Sequence, residues 1–469
     1  MAGYLAFHCR VKGINVNVIL KIEQGPEKGK TYEFTEPDTF LVGRGIEAHF
    51  RLSKEDRYVS RKHFMLEVAP PKCYIRDFGS SNGTIVNGMK VNRSELKDGN
   101  LIKAGMTEIR VNLNAEVEEE EENLWWEEDE GTSVQAQEKK KFEQKFPAAC
   151  SDCMEDVSDK ANSDGRAYEL KDIAGYLCDD CSDMRRTSPV VEETDDYRLL
   201  GEIGGGGAGV VYTAIHKPTA RLVALKKIFI EGSSQKAKSK FSRGMRAMED
   251  IDHPNIIRLM GRGIYRGGNY IVSELMEGGD VRQLITQNYK GAVPPQIACK
   301  VISDVLSGLE YFHQSGHIHR SIKPTNILLT RGGRDSPGTA KLGDCGVVKC
   351  YSDAGGSTVT EQGEVSGTII YMAPEQILDF RNVKEAADTY SAGLILYELL
   401  TADIPFRQKA KDPVLIVLED TPIPVRDKNP SVPKPLADIV DKSVRKDVTE
   451  RFASAVEFQE EIGKLKAQI

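Results

Sequence analysis

The chain has 469 residues and a formal net charge of -8, with 63 Lys and Arg against 71 Asp and Glu. That balance argues against general nucleic-acid binding, which needs a basic face to neutralise phosphates. No apolar run approaches the roughly 18 residues of a membrane span, and the length calls for two to four domains, because one core rarely exceeds about 250–300 residues.

The start, MAGYLAFHCRVKGINVNVIL, lacks the basic, apolar and cleavage layout of an export signal. A cytoplasmic location is therefore expected. The nine cysteines comprise two close pairs and five scattered residues, Cys9, Cys73, Cys299, Cys345 and Cys350. An odd total with no other pairing pattern argues against a disulfide framework.

After an N-terminal segment, 1–17, residues 18–113 alternate short apolar stretches (VNVILKI, FLVGR, HFMLEV, CYIRDF, EIRVNL) with Gly, Asn, Asp and Pro turns. This predicts an all-β sandwich over 18–114. Residues 115–147 turn acidic and lose periodicity (EVEEEEENLWWEEDEGT), which predicts a solvated flexible linker. Trp125 and Trp126 inside it read as a pair packing on a neighbouring domain, or as a short docking motif. A cysteine-bearing segment, 148–185, and a second linker, 186–196, follow. From Tyr197 to residue 469, strand-like stretches (YRLLGEI, GVVYTAI, RLVALKKIFI) give way to helical patterns (IACKVISDVLSGLEYFHQ, DTYSAGLILYELLT), as a two-lobed α+β domain requires.

Within the β region stand Gly43-Arg44, Ser60-x-x-His63, GSSNGT at 79–84 and Asn87-Gly88. In this order and spacing they resemble a forkhead-associated (FHA) domain, a reader of phosphothreonine. A phosphate has nearly two negative charges and three acceptor oxygens, so its capture takes a fixed cation and short donors on loops of a rigid sandwich. By this resemblance Arg44 and Ser60 meet the phosphate, Arg61 and Ser81 lie beside it, and Asn82 holds the peptide backbone. His63 is expected to be structural, bonded to loop backbone. The implied partner is a phosphothreonine protein, such as an active sister kinase or a second copy of the chain.

Cys150-x-x-Cys153 and Cys178-x-x-Cys181 give the two-knuckle spacing of a zinc ribbon. Four thiolates fill a tetrahedral site, so this zinc would be structural, with no place open for catalytic water. The polar stretch between the pairs is too small to support a core of its own.

The last 273 residues, 197–469, resemble a Ser/Thr protein kinase of the bacterial Hanks type. IGGGGAGVVY supplies Gly204, Gly206 and Gly209 followed by Val211, between two strands and ahead of VALKK. The resemblance makes Lys226 the phosphate-holding lysine; Lys227 would face the other side of its strand. It places Ser273 at the gatekeeper and Met276 in the hinge of the ATP pocket. The loop HRSIKPTN (319–326) keeps Lys323 and Asn326, and KLGDCG keeps Asp344, so Asn326 and Asp344 are the implied magnesium ligands. Asp388 falls in a large helix, and Arg451 should pair with Glu375.

Three departures from the family pattern carry the functional argument. Ser321 stands where the catalytic Asp belongs, and losing a positioned base costs roughly 10²–10⁴ in rate. Gly244 stands where the helix glutamate that pairs with the lysine should lie, nine residues before His253, and glycine has no carboxylate. Cys345 replaces the Phe of the hydrophobic spine, removing most of an aromatic's buried area. The expectation is a multidomain pseudokinase: an FHA sandwich, a zinc ribbon and a kinase fold that retains the parts to hold ATP with magnesium. The alternative is a low-activity Ser/Thr kinase with a non-standard catalytic loop.

Overall fold

The computed structural model describes residues 13–34, 38–45, 48–69, 72–118, 168–169, 176–177, 190–206, 209–218, 221–228, 248, 251–265, 268–332, 337–344, 369–379, 382–407 and 412–465. The four paired cysteines, Trp125, Trp126, Gly244 and Cys345 lie outside the described residues.

Eleven strands between Gly13 and Glu118 form two antiparallel-dominated sheets. The first has the order Thr31–Phe34, Gly13–Gln24, Thr107–Glu118, Leu101–Ala104, Thr84–Val86, Met89–Val91. The second runs Phe50–Arg51, Asp38–Gly43, Phe64–Ala69, Lys72–Asp77, Arg93–Leu96. Alternation decides what faces inward. Leu20, Ile22, Phe64, Leu66, Ile75, Ile109 and Val111 are all buried in one core between the sheets. Each contributes about 1.5–3 kcal/mol of burial. The Asn87-Gly88 pair closes a two-residue hairpin with φ of 49° and 82°, the mirror-type turn this dipeptide favours.

The sandwich is longer than the sequence boundaries, 18 and 114, suggest. Gly13–Gln24 pairs with Thr107–Glu118 along its whole length, from Gly13↔Glu118 inward. The apolar alternation itself continues there, through Ile14 and Val16 on one strand and Ala115 and Val117 on the other, so the ladder runs on past both boundaries.

The kinase-like region begins with a six-stranded antiparallel sheet in the order Glu192–Glu193, Tyr197–Gly206, Gly209–His216, Arg221–Ile228, Gly268–Glu274, Leu259–Tyr265. Its first strand comes from the stretch assigned to the second linker. Glu192 pairs there with Lys227, whose ammonium also lies 5.2 Å from the Tyr212 ring centroid. The larger lobe is helical. Glu385–Thr401 is buried on every side, and Pro295–Gln314, Lys434–Ser443 and Ala455–Leu465 pack round it. Arg451 clamps Glu375 with two parallel bonds of 2.8 and 2.7 Å, as expected from the sequence.

The two regions meet. Leu41, Met65 and Phe78 of the sandwich belong to the same apolar cluster as Ile369, Ile377 and Val414 of the helical lobe. Arg76 faces Asp412 at 3.4 Å. Beside this contact Glu67 is 3% exposed. Burial pushes its carboxyl up from 4.5 to about 7; Arg76 and Arg93 offset part of the effect, and Asp412 adds to it.

The folded chain therefore holds a proton that the unfolded chain releases. The stability Glu67 contributes is intact below about 4.5 and is lost as pH rises through about 7. Glu67→Gln removes this dependence. Its melting temperature should match the parent near pH 4.5 and exceed it above about pH 8, by the equivalent of at most ~3 kcal/mol. Parallel pH curves for the two proteins would contradict the assignment.

Candidate functional site

Two groups of loops carry the chemistry. In the sandwich, Gly43 ends a strand and Arg44 begins the loop. A Cβ at Gly43 would sit 2.1 Å from the Arg61 carbonyl oxygen, so only glycine lets these loops approach. The Arg44 backbone N–H donates to the Ser60 carbonyl at 3.1 Å, and its Nε donates to the Val59 carbonyl at 2.6 Å. The Ser81 N–H donates to Ser60 Oγ at 3.0 Å, with the two hydroxyls 3.5 Å apart. Asn82 Nδ2 donates to the Tyr58 carbonyl at 2.8 Å. One guanidinium, two hydroxyls and one amide thus gather on three tied loops. Arg61 is exposed on the same loop as Ser60.

His63 is fully buried beneath them. Its Nδ1 accepts from the Ser60 N–H at 3.0 Å, and its Nε2 lies 3.3 Å from the Gly83 carbonyl. Burial lowers its pKa, which keeps the ring neutral with its proton on Nε2. The ring joins the two loops as a structural strut. Asp77 supports the other side: it accepts from the Ser80 N–H at 2.9 Å, from the Ser80 hydroxyl at 2.6 Å and from Thr84 Oγ1 at 2.6 Å. The sequence reading passed over Asp77, although an Asp opening a Gly-Ser-Ser turn is a recognisable turn signal.

In the kinase-like region, Gly209 has φ +146° and approaches its neighbour so closely that a Cβ would meet the Lys227 carbonyl oxygen at 1.9 Å. Gly204 has open space round it, so crowding demands glycine at Gly209 and not at Gly204. Val211 lies across from Lys226 in the sheet, and Ser273 lies across from Ala224. Met276 follows that strand, half-buried. Lys226 and Lys227 point to opposite faces, as alternation requires. Lys226 Nζ reaches both oxygens of Asp344, at 2.7 and 2.8 Å. Burial alone would push the Asp344 carboxyl up, but the charge and hydrogen bond of Lys226, with Lys323 behind it, hold it below the usual carboxylate range.

The loop 319–326 is built round Asp388. One carboxylate oxygen accepts from the His319 N–H and from His313 Nε2, each at 2.8 Å; the other accepts from the Arg320 N–H at 2.8 Å. That grip holds Arg320 at φ 63°. His319 Nδ1 accepts from the Ser321 N–H at 3.3 Å, and its Nε2 donates to the Gly343 carbonyl at 3.0 Å. Asn326 Nδ2 donates to the Ser321 carbonyl at 2.8 Å and to its hydroxyl at 3.0 Å. Gln376, which the sequence reading did not single out, donates to the Arg320 carbonyl at 2.7 Å.

The structure therefore brings together Lys226, Ser321, Asn326 and Asp344 in the cleft between the lobes. A glycine-edged sheet over a helical lobe, with lysine, asparagine and aspartate at their junction, defines a two-lobed phosphotransfer fold. The profile of the family described as protein kinase domain matches residues 197–461, more than half the chain, and the chain belongs to that family. An FHA domain profile matches residues 40–105. Similar curated proteins include a probable serine/threonine-protein kinase PknB of Lactococcus lactis, 32% identical over 271 residues (57% of this chain, 42% of that protein). Serine/threonine-protein kinase PrkC of Bacillus subtilis is 33% identical over 271 residues (57% and 40%), and PknJ of Mycobacterium tuberculosis is 34% identical over 268 residues (56% and 44%). The chain thus spans 40–44% of the length of these three relatives. Among the described residues no helix is long and apolar enough to cross a membrane, and no group of three or more His, Cys, Asp or Glu is placed to hold a metal ion.

The Lys226–Asp344 pair is only partly exposed, so breaking one half strands the other. Lys226→Met and Asp344→Asn should each lower stability without ligand, by about 1–3 kcal/mol. The double variant should lose less than the sum, by about 0.5–3 kcal/mol in a denaturation cycle. Strict additivity would show that the pair is not formed in solution.

Proposed function

We propose that the chain is a phosphothreonine-dependent signalling scaffold whose kinase domain is catalytically impaired while keeping the residues that hold ATP with magnesium. The observation that carries this reading is the Asn326–Ser321 contact. The side chain at the base position is a neutral hydroxyl that already accepts a hydrogen bond from Asn326. A serine hydroxyl has no charge to orient an acceptor alcohol and is a poor base near neutral pH. Gly244 removes the usual partner of Lys226, which supports the direct engagement of Lys226 with Asp344.

The cleft residues fit nucleotide and metal. Asp344 and the Asn326 amide oxygen are hard donors suited to magnesium, and Lys226 is a cation for phosphate. When bound, magnesium neutralises phosphate charge. This chain's own part is to orient: Lys226 would face phosphate, and Asp344 with Asn326 would hold the metal. For the sandwich, Arg44, Ser60, Ser81 and Asn82 offer the cation and donors that a phosphothreonine needs. Cys150, Cys153, Cys178 and Cys181 supply four thiolates for a structural zinc. The antiparallel pairing of Tyr168–Glu169 with Tyr176–Leu177 between the two cysteine pairs supports a small metal-knit segment. A cytoplasmic location fits this reading.

The alternative, a slow Ser/Thr kinase directed by its FHA domain, is supported by the relatives named as such kinases and by the presence of Lys226, Asn326 and Asp344. Phosphoryl transfer depends heavily on positioning and charge, which those residues can still supply.

Two measurements test the scaffold. Immobilised degenerate phosphothreonine peptides should retain the intact chain and lose it on Arg44→Ala; retention of the variant would move recognition to another surface. Magnesium ATP should raise the melting temperature of the parent, by the equivalent of about 2.7 kcal/mol at 100 times Kd. It should leave Asp344→Asn unmoved. No shift in the parent would reduce the retained cleft to a folding role.

A further inference from the structure

The outward face of the second sheet of the sandwich is covered, not solvated. Leu41 and Met65, which alternation places on that face, are each 2% exposed. Glu67, two residues along the same strand face from Met65, has neither carboxylate oxygen hydrogen-bonded. Left open to water, this face would expose two large apolar side chains and hydrate the carboxylate. What covers it is the helical lobe of the same chain. Ile369 and Met372, Gln376 and Ile377 of the helix Pro374–Leu378, and Val414 of the helix Pro413–Glu419 close on Thr39 and Met65. Arg76 and Asp412 pair at the rim.

The contact continues into the phosphothreonine loops. Phe78 is buried in the shared cluster, and a Cβ at Gly79 would lie 3.4 Å from Leu415 Cδ1. Two residues later the same loop carries Ser81 and Asn82, tied in front to Ser60 and to the Tyr58 carbonyl. The loop is thus held from behind by the helical lobe and from the front by its own sandwich. On the lobe side Gln376, which touches the sheet, also donates to the Arg320 carbonyl beside Ser321.

We infer that this sheet face is a docking surface for the kinase lobe of the same chain, and that docking holds the loop 78–83 in its peptide-reading form. The first half stands on the contact alone; the second rests on the phosphothreonine reading. A loop ordered before its ligand arrives spends less of the binding free energy on ordering, so docking and phosphopeptide capture strengthen one another. The docked sheet also covers the lobe face next to Ser321, so the lobe serves as a platform for the reader.

Hydrogen exchange on the full chain tests both halves, using Met65→Asp and Arg76→Glu. Both side chains lie outside the sandwich core, whose inward residues are on the opposite face of the sheet. Docking predicts that exchange in the helix 413–419 and in the loop 78–83 rises by about tenfold or more in Met65→Asp, while the strands at 18–22 and 109–111 keep their protection. Unchanged exchange at both places overturns the docking. Faster exchange in the helix with an unchanged loop overturns the coupling. If Met65→Asp also loosens the core strands, Arg76→Glu, which sets a carboxylate against Asp412 at the rim, decides by the same criteria.

Discussion

Asn326 reaches across its own loop to donate both to the carbonyl and to the hydroxyl of Ser321. Everything else in the cleft is arranged round that short closure. Asp388 fixes the backbone on which Ser321 sits, and His319 joins the loop to Gly343, the residue before Asp344. Burial lowers the His319 pKa, so the ring stays a neutral connector between the two segments. On the proposed reading, the scaffold that positions a catalytic base is kept and only the base differs. A carboxylate there would accept a proton and aim an alcohol; a hydroxyl held by an amide does neither.

The same economy governs Lys226. The family resemblance implies a helix carboxylate for this lysine, and counting back from His253 proposes Gly244 for that place. The ammonium and the Asp344 carboxylate then satisfy each other, two charges in a cleft that neither can leave unpaired without cost. On the proposed reading, Lys226 and Asp344 would have to part for the one to face phosphate and the other a metal. The FHA sandwich adds a second phosphate-directed site with its own cation, and its outer sheet rests on the lobe that carries Ser321. On the proposed reading, the chain joins a reader to a platform.

Much of this was legible in the sequence because the signals were local. The Asn87-Gly88 turn, the buried strands Phe64–Ala69 and Lys72–Asp77, and the helix Glu385–Thr401 follow from turn chemistry and apolar period. His63 as a strut and the Arg451–Glu375 clamp follow from ordered motifs. What escaped was non-local. Met65 and Leu41 alternate outward within their strands, and nothing local in the sequence shows that a lobe more than 300 residues further along buries them. Glu192–Glu193 reads as linker because two acidic residues have little β preference, but Lys227 and the edge of a six-stranded sheet recruit them. Gln376 has no distinguishing pattern, and its role depends on a backbone carbonyl 56 residues away.

The central claim is that Ser321 leaves the chain without a base to deprotonate and aim an acceptor. The direct measurement is transfer of the γ-phosphate label from ATP, with magnesium or manganese, to a generic basic protein under single-turnover conditions, comparing the parent with Asp344→Ala. The account predicts no labelled product from the parent above the level given by Asp344→Ala. Labelled protein that forms with the parent and disappears with Asp344→Ala would contradict it.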